Sequence, residues 1–410
     1  MKKLSTFIAE EKNLHMEHIE DLILNDGIAG ARQIFSMLSQ IRDMLGGHTT
    51  KKVSATVKWD GAPAIFAGID PRDGKFFVAK KGIFNKNPKI YKTQAEIDAD
   101  LSGELADKFT VALREFKKLG ITSGVYQGDL MFTKGDVKLE TIDDVKYYTF
   151  QPNTIVYAVP ADTALAHRIT TASIGIVWHT TYTGDSFENM RASFGHGIVE
   201  KFKNVNTIWM DDANYKDVSG TATLTGAETT RLNSILSEAG KILQKLPIEA
   251  VEMFSKDEEL LMRVKTYNNS KIRAGQKVTN TATHVAGLIH YLNDFYMKDM
   301  NSKKSEKGKA AVKEKFQRVF APIARTPLLQ LKLIFDFMNL IVDAKMIIIS
   351  KMNSSAALGT FLRTSKGLTV TSPEGYVAVD HLRNGAVKLV DRLGFSQANF
   401  SADVIKGWQR

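Results

Sequence analysis

The sequence contains no cysteine. That excludes a disulfide framework, a thiol nucleophile, an iron–sulfur cluster and any cysteine-based zinc site, and it fits a reducing compartment. A leader-like start is also missing: the run from Met1 to Phe7 turns polar at Glu10-Glu11-Lys12, too soon for the apolar region of a signal peptide. No long apolar run reads as a membrane span. The most apolar stretch, 328–349, is interrupted by Lys332, Asp336, Asp343 and Lys345, which suits a buried helix. No internal repeat is present. The expectation is a cytoplasmic monomer without a membrane partner, a virus-infected host cell included among its settings.

What is there is ample core material. The 410 residues include 22 Phe, 11 Tyr and 4 Trp, which excludes disorder of the whole chain. Hydrophobic residues make up 43% and charged residues 24%, ordinary for a globular protein. The periodicity changes three times along the chain. Residues 1–50 read as helical, with one amphipathic stretch through Leu14, Ile19, Leu22 and Ile23 and another through Ile34, Phe35, Leu38, Ile41 and Leu45, divided at Asp26-Gly27. From 51 to 200 the pattern is mainly that of strands: 53–57, 63–69, 76–78, 124–132, 147–150, 154–159 and 174–182, with a helix expected from Gln94 to Lys118. Residues 201–354 form a mainly helical insertion, its helical pattern running from about Gly226 to Ser350. Strands resume in 355–410, near Leu362, at 367–370, 376–379 and 386–390, before a last helix after Arg392. The predicted fold class is α+β: a sheet-rich body interrupted by a helical insertion.

Charge is uneven. Lys and Arg number 55 against 45 Asp and Glu, a net +10. Between Arg263 and Arg318 stand thirteen basic and four acidic residues, so nine of those ten charges fall in this part of the insertion. Clustered cations are what binding to a phosphate backbone requires, and Lys271, Arg273, Lys277, Lys303, Lys304, Lys307 and Lys309 are the candidate contacts for nucleic acid.

The sharpest local pattern is Val57-Lys58-Trp59-Asp60-Gly61, a lysine ending a strand at an Asp-Gly turn. A lysine amine is a nucleophile once it is neutral, and burial or a neighbouring cation promotes that state. An ordered set follows: Lys80-Lys81-Gly82, then Gly128-Asp129-Leu130 inside a strand, then Thr154 to Val159 with Tyr157, then Ser372-Pro373-Glu374-Gly375-Tyr376-Val377, and Val387-Lys388-Leu389.

This order resembles the covalent nucleotidyltransferase superfamily of ATP-dependent DNA and RNA ligases and mRNA capping enzymes. The resemblance spans about 51–190 and 355–395 and implies a core of antiparallel, ATP-grasp-like sheets. It implies that Lys58 accepts the nucleotide within a Lys-x-Asp-Gly motif that includes Asp60 and Gly61. Lys80 and Lys388 would contact ribose or phosphate, Tyr157 would face adenine, and Asp129 and Glu374 would support Mg²⁺ or Mn²⁺. The implied activity is ATP-dependent joining of 3′-hydroxyl and 5′-phosphate ends of DNA or RNA through a lysyl-AMP intermediate. Three departures stand out. Asp129 is shorter than the usual Glu, Val390 replaces a second Lys that Arg392 is placed to substitute, and only 22 residues follow Lys388, too few for an OB-fold. The last of these leans towards an RNA-ligase-like architecture. A GTP-using, capping-type guanylyltransferase and a nucleic-acid-binding protein with a disabled core are the rival readings.

Other features read as structural. His15 and His18, three apart, fit a polar helix face better than a metal pair. His284 and His290 lie in an apolar helical stretch. Phe316, Phe320, Phe335 and Phe337 read as core, as do Tyr267 and Tyr291, although the last two are open to base stacking.

Overall fold

The structure, a computed structural model, describes residues 17–46, 53–85, 87–194, 197–213, 223–353, 359–365, 367–371, 374–380, 385–401 and 403–409. The chain is α+β, and its described residues form three sheets and a helical body. The first sheet is four-stranded, in the order Glu17–His18, Gly385–Leu389, Gly375–Asp380, Val53–Lys58. The second has seven strands. Its path runs Arg191–Phe194, Ile174–Thr183, Val125–Thr133, Ala64–Ile69, Phe76–Ala79, Ile90–Tyr91, and Ile208–Asp212 lies parallel to Ile174–Thr183. The third runs Gly367–Val370, Gly359–Thr364, Ile155–Pro160, Val145–Phe150, Lys138–Ile142.

Alternation along the strands decides what each face of the first sheet meets. Tyr376, Ala378, Val387 and Leu389 are buried in one core with the helices. The residues between them, Val377 and Lys388, stand on the opposite face, as period-two geometry demands. The helical body covering the first face includes Leu22–Leu45 and the helices Gly226–Lys245, Glu258–Arg273, Thr281–Ser302, Glu306–Arg325 and Leu328–Asn353. The N-terminal helix therefore shares its core with the insertion rather than forming a separate layer. Ile34, Leu38, Ile41 and Leu45 are buried at helical spacing, and the break expected at Asp26-Gly27 is a kink at Gly27, whose φ is 56°. Residues 1–16, His15 among them, lie outside the described residues.

The helical stretch begins at Gly226 and ends at Asn353, close to where the pattern changes in sequence. The sheet-rich part, in contrast, continues past 200, because Ile208–Asp212 completes the second sheet. The helix expected over 94–118 is two helices, Gln94–Asp100 and Gly103–Phe116. They are separated where Ser102 is extended and Gly103 takes a φ of 58°. Leu328–Asn353 is a buried helix, and among the described residues no helix is long and apolar enough to cross a membrane. Its Lys345 is buried and holds both carboxylate oxygens of Glu20 at 2.8 Å. His284 is buried against Asn268, whereas His290 is exposed and pairs with Asp294. Tyr267, Phe335 and Phe337 are core residues, and Tyr291, Phe316 and Phe320 pack against that core.

Candidate active site

The segment between Lys58 and Ala64 carries the chain from the first sheet to the second, and a cleft of about 590 Å³ opens beside that crossing. Lys58, Asp60, Gly61, Asp129, Glu374 and Lys388 all line it. Register explains much of the convergence. Lys58 is paired with Gly375 and Lys388 with Val377, two residues further along the same strand, so both lysines stand on the same face of the sheet. Glu374 precedes Gly375 and forms an ion pair with the Lys58 amine.

The crossing turn is fixed to the Asp129 strand. Ala62 N–H donates to the Leu130 carbonyl at 3.0 Å, and Leu130 N–H donates to Pro63 O at 3.1 Å. A Cβ on Gly61 would lie 2.5 Å from Asp129 Cβ, so only glycine lets the turn pass this close. Asp60 holds the turn from the other side. Its carboxylate accepts from Thr154 N–H (2.7 Å), Ile155 N–H (2.9 Å) and the Asn153 side chain (2.7 Å). Asp60 N–H in turn donates to the Tyr157 hydroxyl at 2.8 Å. Asp60 thus positions the lysine through bonds to the third sheet.

Electrostatics in the cleft follow from burial and mutual proximity. Burial pushes the Glu374 carboxyl up to about 7, the Asp60 and Asp129 charges add to the rise, and Lys58 opposes it. Burial lowers the Lys388 amine, and the positive charge of Lys58 lowers it further. Asp129 is part-exposed, with His179 Nε2 at 3.7 Å. Among the described residues no three His, Asp or Glu side chains form a metal cage. Two carboxylates in one cleft nonetheless match what Mg²⁺ takes from a protein when substrate phosphates and water supply its remaining oxygens.

Not every expected residue arrives. The Tyr157 ring, expected to face adenine, is buried, packed 5.2 Å from Trp59 and 5.5 Å from Phe150, and does not line the cleft. The reason is its place on a central strand of the third sheet, inside that sheet's core. Lys80 lies outside the cleft, bonded to Asp100 at 3.0 Å. Arg392 does line the cleft, but its guanidinium is bound to Glu20, Asp21 and Asn269.

The basic insertion divides. Arg273, at the end of Glu258–Arg273, lines the cleft. Lys271 sits 5.1 Å above the Tyr267 ring, and Lys277, 3.8 Å from Asp343, lines a neighbouring cavity of about 480 Å³. Lys303, Lys304, Lys307 and Lys309 lie at the other end of Thr281–Ser302. That helix has 22 residues, about 33 Å at 1.5 Å per residue. Lys303 pairs with Asp299 and Lys309 with Glu306, while Lys304 and Lys307 are exposed.

The cleft also holds residues that the sequence did not single out: Asn153, Asn269, Ser396, Asn399, Phe400 and Lys406. His18 is a correction. It does not lie on a helix face but on a short strand, parallel to and in register with Lys388. Burial holds its imidazole well below its usual value. Three buried polar atoms in the wall, His18 Nδ1, Trp59 Nε1 and Ser396 Oγ, have no hydrogen-bond partner among the described residues, a condition that a bound ligand would relieve. No local motif marks these residues, because they meet only through strand pairing and the packing of the last helix.

Residues 13–404 match the model of a family of unknown function (DUF6267), and the chain belongs to that family. No match was found among curated proteins or among solved structures.

Proposed function

We propose that this chain is an ATP-dependent polynucleotide ligase whose sheets form a covalent nucleotidyltransferase core. The observation that carries the reading is the meeting of Lys58, Asp129, Glu374 and Lys388 in one cleft, from three separate stretches of sequence. Once the Lys58 ammonium has given one proton to solvent, its amine attacks the α-phosphorus of ATP. An N–P bond forms, the bond to the bridging oxygen breaks, and pyrophosphate leaves. Glu374, in contact with the amine, accepts its proton. Lys388 faces the negative charge that grows on the phosphate oxygens. Asp129 and Glu374 would hold Mg²⁺ or Mn²⁺, which supplies further neutralisation of those oxygens. The AMP then passes to a nucleic-acid 5′-phosphate, and a 3′-hydroxyl attacks that phosphate, forming the phosphodiester and releasing AMP.

Intact mass after incubation with ATP and Mg²⁺ tests the reading, beside Lys58→Ala and a GTP arm. An AMP adduct on the wild type alone is the expected result. A GMP adduct would make the chain a guanylyltransferase. No adduct with either nucleotide, on protein freed of carried-over AMP, would leave a nucleic-acid-binding protein.

A further inference from the structure

The cleft continues into an exposed rim made by the last helix, Arg392–Phe400, and the tail that follows it. Phe400 is 65% exposed and Trp408 58%. Each has a cation against its face: the Arg273 guanidinium 5.8 Å from the Phe400 centroid, and the Lys406 amine 5.2 Å from that of Trp408. Phe400 and Lys406 line both the cleft and a second cavity beside it, which joins that part of the rim to the cleft, and Trp408 meets this surface through Lys406. Among the described residues, no acidic side chain lines that second cavity.

The tail is not a loose end. Val404 bridges to Thr364, Ile405 N–H donates to Arg363 O at 2.8 Å, and Gly407 N–H donates to Asn153 O at 2.8 Å. A Cβ at Gly407 would lie 2.2 Å from Gln151 O, so the chain lies flat on the third sheet. Asn153 also holds Asp60 of the lysine turn. The backbone carrying Trp408 is therefore bonded to the residue that holds Asp60 beside Lys58, while its ring is left in solvent. Exposed apolar rings on an anchored backbone bind with little ordering entropy still to be lost.

We infer that Phe400 and Trp408, with Arg273 and Lys406, form a stacking platform for unpaired bases of a nucleic-acid strand whose end enters the cleft. The inference rests on the ligase reading and gives it a substrate class: a strand with a single-stranded end. Aromatic faces accept any base, and cations beside them meet the phosphates, the combination that single-strand binders use.

The test uses the full chain and a fluorescein-labelled, 5′-phosphorylated oligothymidylate, beside a blunt duplex of equal length, read by anisotropy at low salt. The single strand binds more tightly than the duplex. Trp408→Ala and Phe400→Ala each weaken single-strand binding roughly five- to a hundredfold. Arg273→Gln lowers the slope of log affinity against log salt by about 0.7. Melting curves of the variants confirm that they fold. Equal single-strand affinity of wild type and both aromatic variants overturns the platform, as does preference for the blunt duplex. Self-association that depends on Phe400 and Trp408, without oligonucleotide binding, overturns it in favour of a protein contact. Adduct formation by the wild type with ATP is scored separately. Adduct without strand binding sinks the platform alone, and strand binding without adduct supports the platform while sinking the ligase reading.

Discussion

Lys345→Met removes one member of a buried ionic cluster, and the outcome follows from its neighbours. Lys345 and Glu20 are 1% and 3% exposed, and both Glu20 oxygens lie 2.8 Å from the amine. Arg392 approaches Glu20 at 3.3 Å and Asp21 at 3.2 Å. Two acids face two cations, so the cluster is neutral. The variant leaves two buried acids against one guanidinium. Unpairing a buried charge costs about 3–5 kcal/mol. Glu20 can escape by taking up a proton, which from its usual range costs about 3.7 kcal/mol at pH 7, at 1.36 kcal/mol per pH unit. The expected loss is therefore about 3.7 kcal/mol at pH 7, falling to about 1 kcal/mol at pH 5, where the proton is easier to obtain. Lys345→Met with Glu20→Gln should recover most of it, because a neutral pair replaces a neutral pair. Urea unfolding of the three proteins at both pH values measures this. A loss below 1 kcal/mol at pH 7, or an equal loss at both pH values, would refute the reasoning. The cluster also anchors the start of the helix that carries Ser396, Asn399 and Phe400 into the cleft.

Three further outcomes are expected. Tyr157→Phe strips Asp60 N–H of its acceptor and costs about 1–3 kcal/mol of stability; the rate of adduct formation should fall while the ATP concentration for half-saturation stays put, and a rise in that concentration would restore the adenine-facing role. His284 is buried beside Asn268, and burial lowers it to about 4, so the unfolded chain binds its proton more readily between pH 6.5 and 4. The stability attached to it is present above pH 6.5 and lost as pH falls through that window; His284→Gln should show a shallower decline in calorimetric Tm, and identical slopes would count against a buried neutral imidazole. Neutralising Lys303, Lys304, Lys307 and Lys309 should spare binding of duplexes shorter than about ten base pairs with an unpaired end, since 33 Å of duplex is about that length, and weaken longer ones; equal weakening at every length would place these lysines at the cleft.

The sequence carried the periodic parts of the fold well. Strands such as Val53–Lys58 and Ile174–Thr183 alternate or run apolar, and the switch to helical spacing at Gly226 marks a true boundary. Ile208–Asp212 and the helix Ala164–Thr171 were missed, being short segments whose burial comes from neighbours distant in sequence. Within the site, residues on motif strands arrived where spacing suggested, because strand register fixes direction. Tyr157 and Lys80 did not, because an aromatic on a strand gives no sign of which side is core, and a lysine gives no sign that Asp100 is within reach. His18, Ser396 and Asn399 had no signal, since each reaches the cleft only through tertiary packing.

The basic segment shows that a charge count along the chain leaves out the acids that meet its cations in space. Of its thirteen cations, Arg263, Lys265, Lys277, Lys303, Lys309, Lys315 and Arg318 are in ion pairs. Glu259, Glu17, Asp343 and Asp257, four of the acids they meet, lie outside 263–318, so a window on the sequence counts the cations and leaves out their partners. Much of the apparent excess is neutralised in space by residues from the N-terminal strand, the next helix and the first turn of the same helix. A field that can attract a phosphate survives where cations lack such partners. Arg273 is one such place, with no ion pair among the described residues, and it stands at the mouth of the cleft beside an exposed aromatic ring. Position relative to the cleft and the lack of an ion pair among the described residues, rather than density in sequence, select it as the cation whose loss should be felt first if a nucleic-acid strand enters the site.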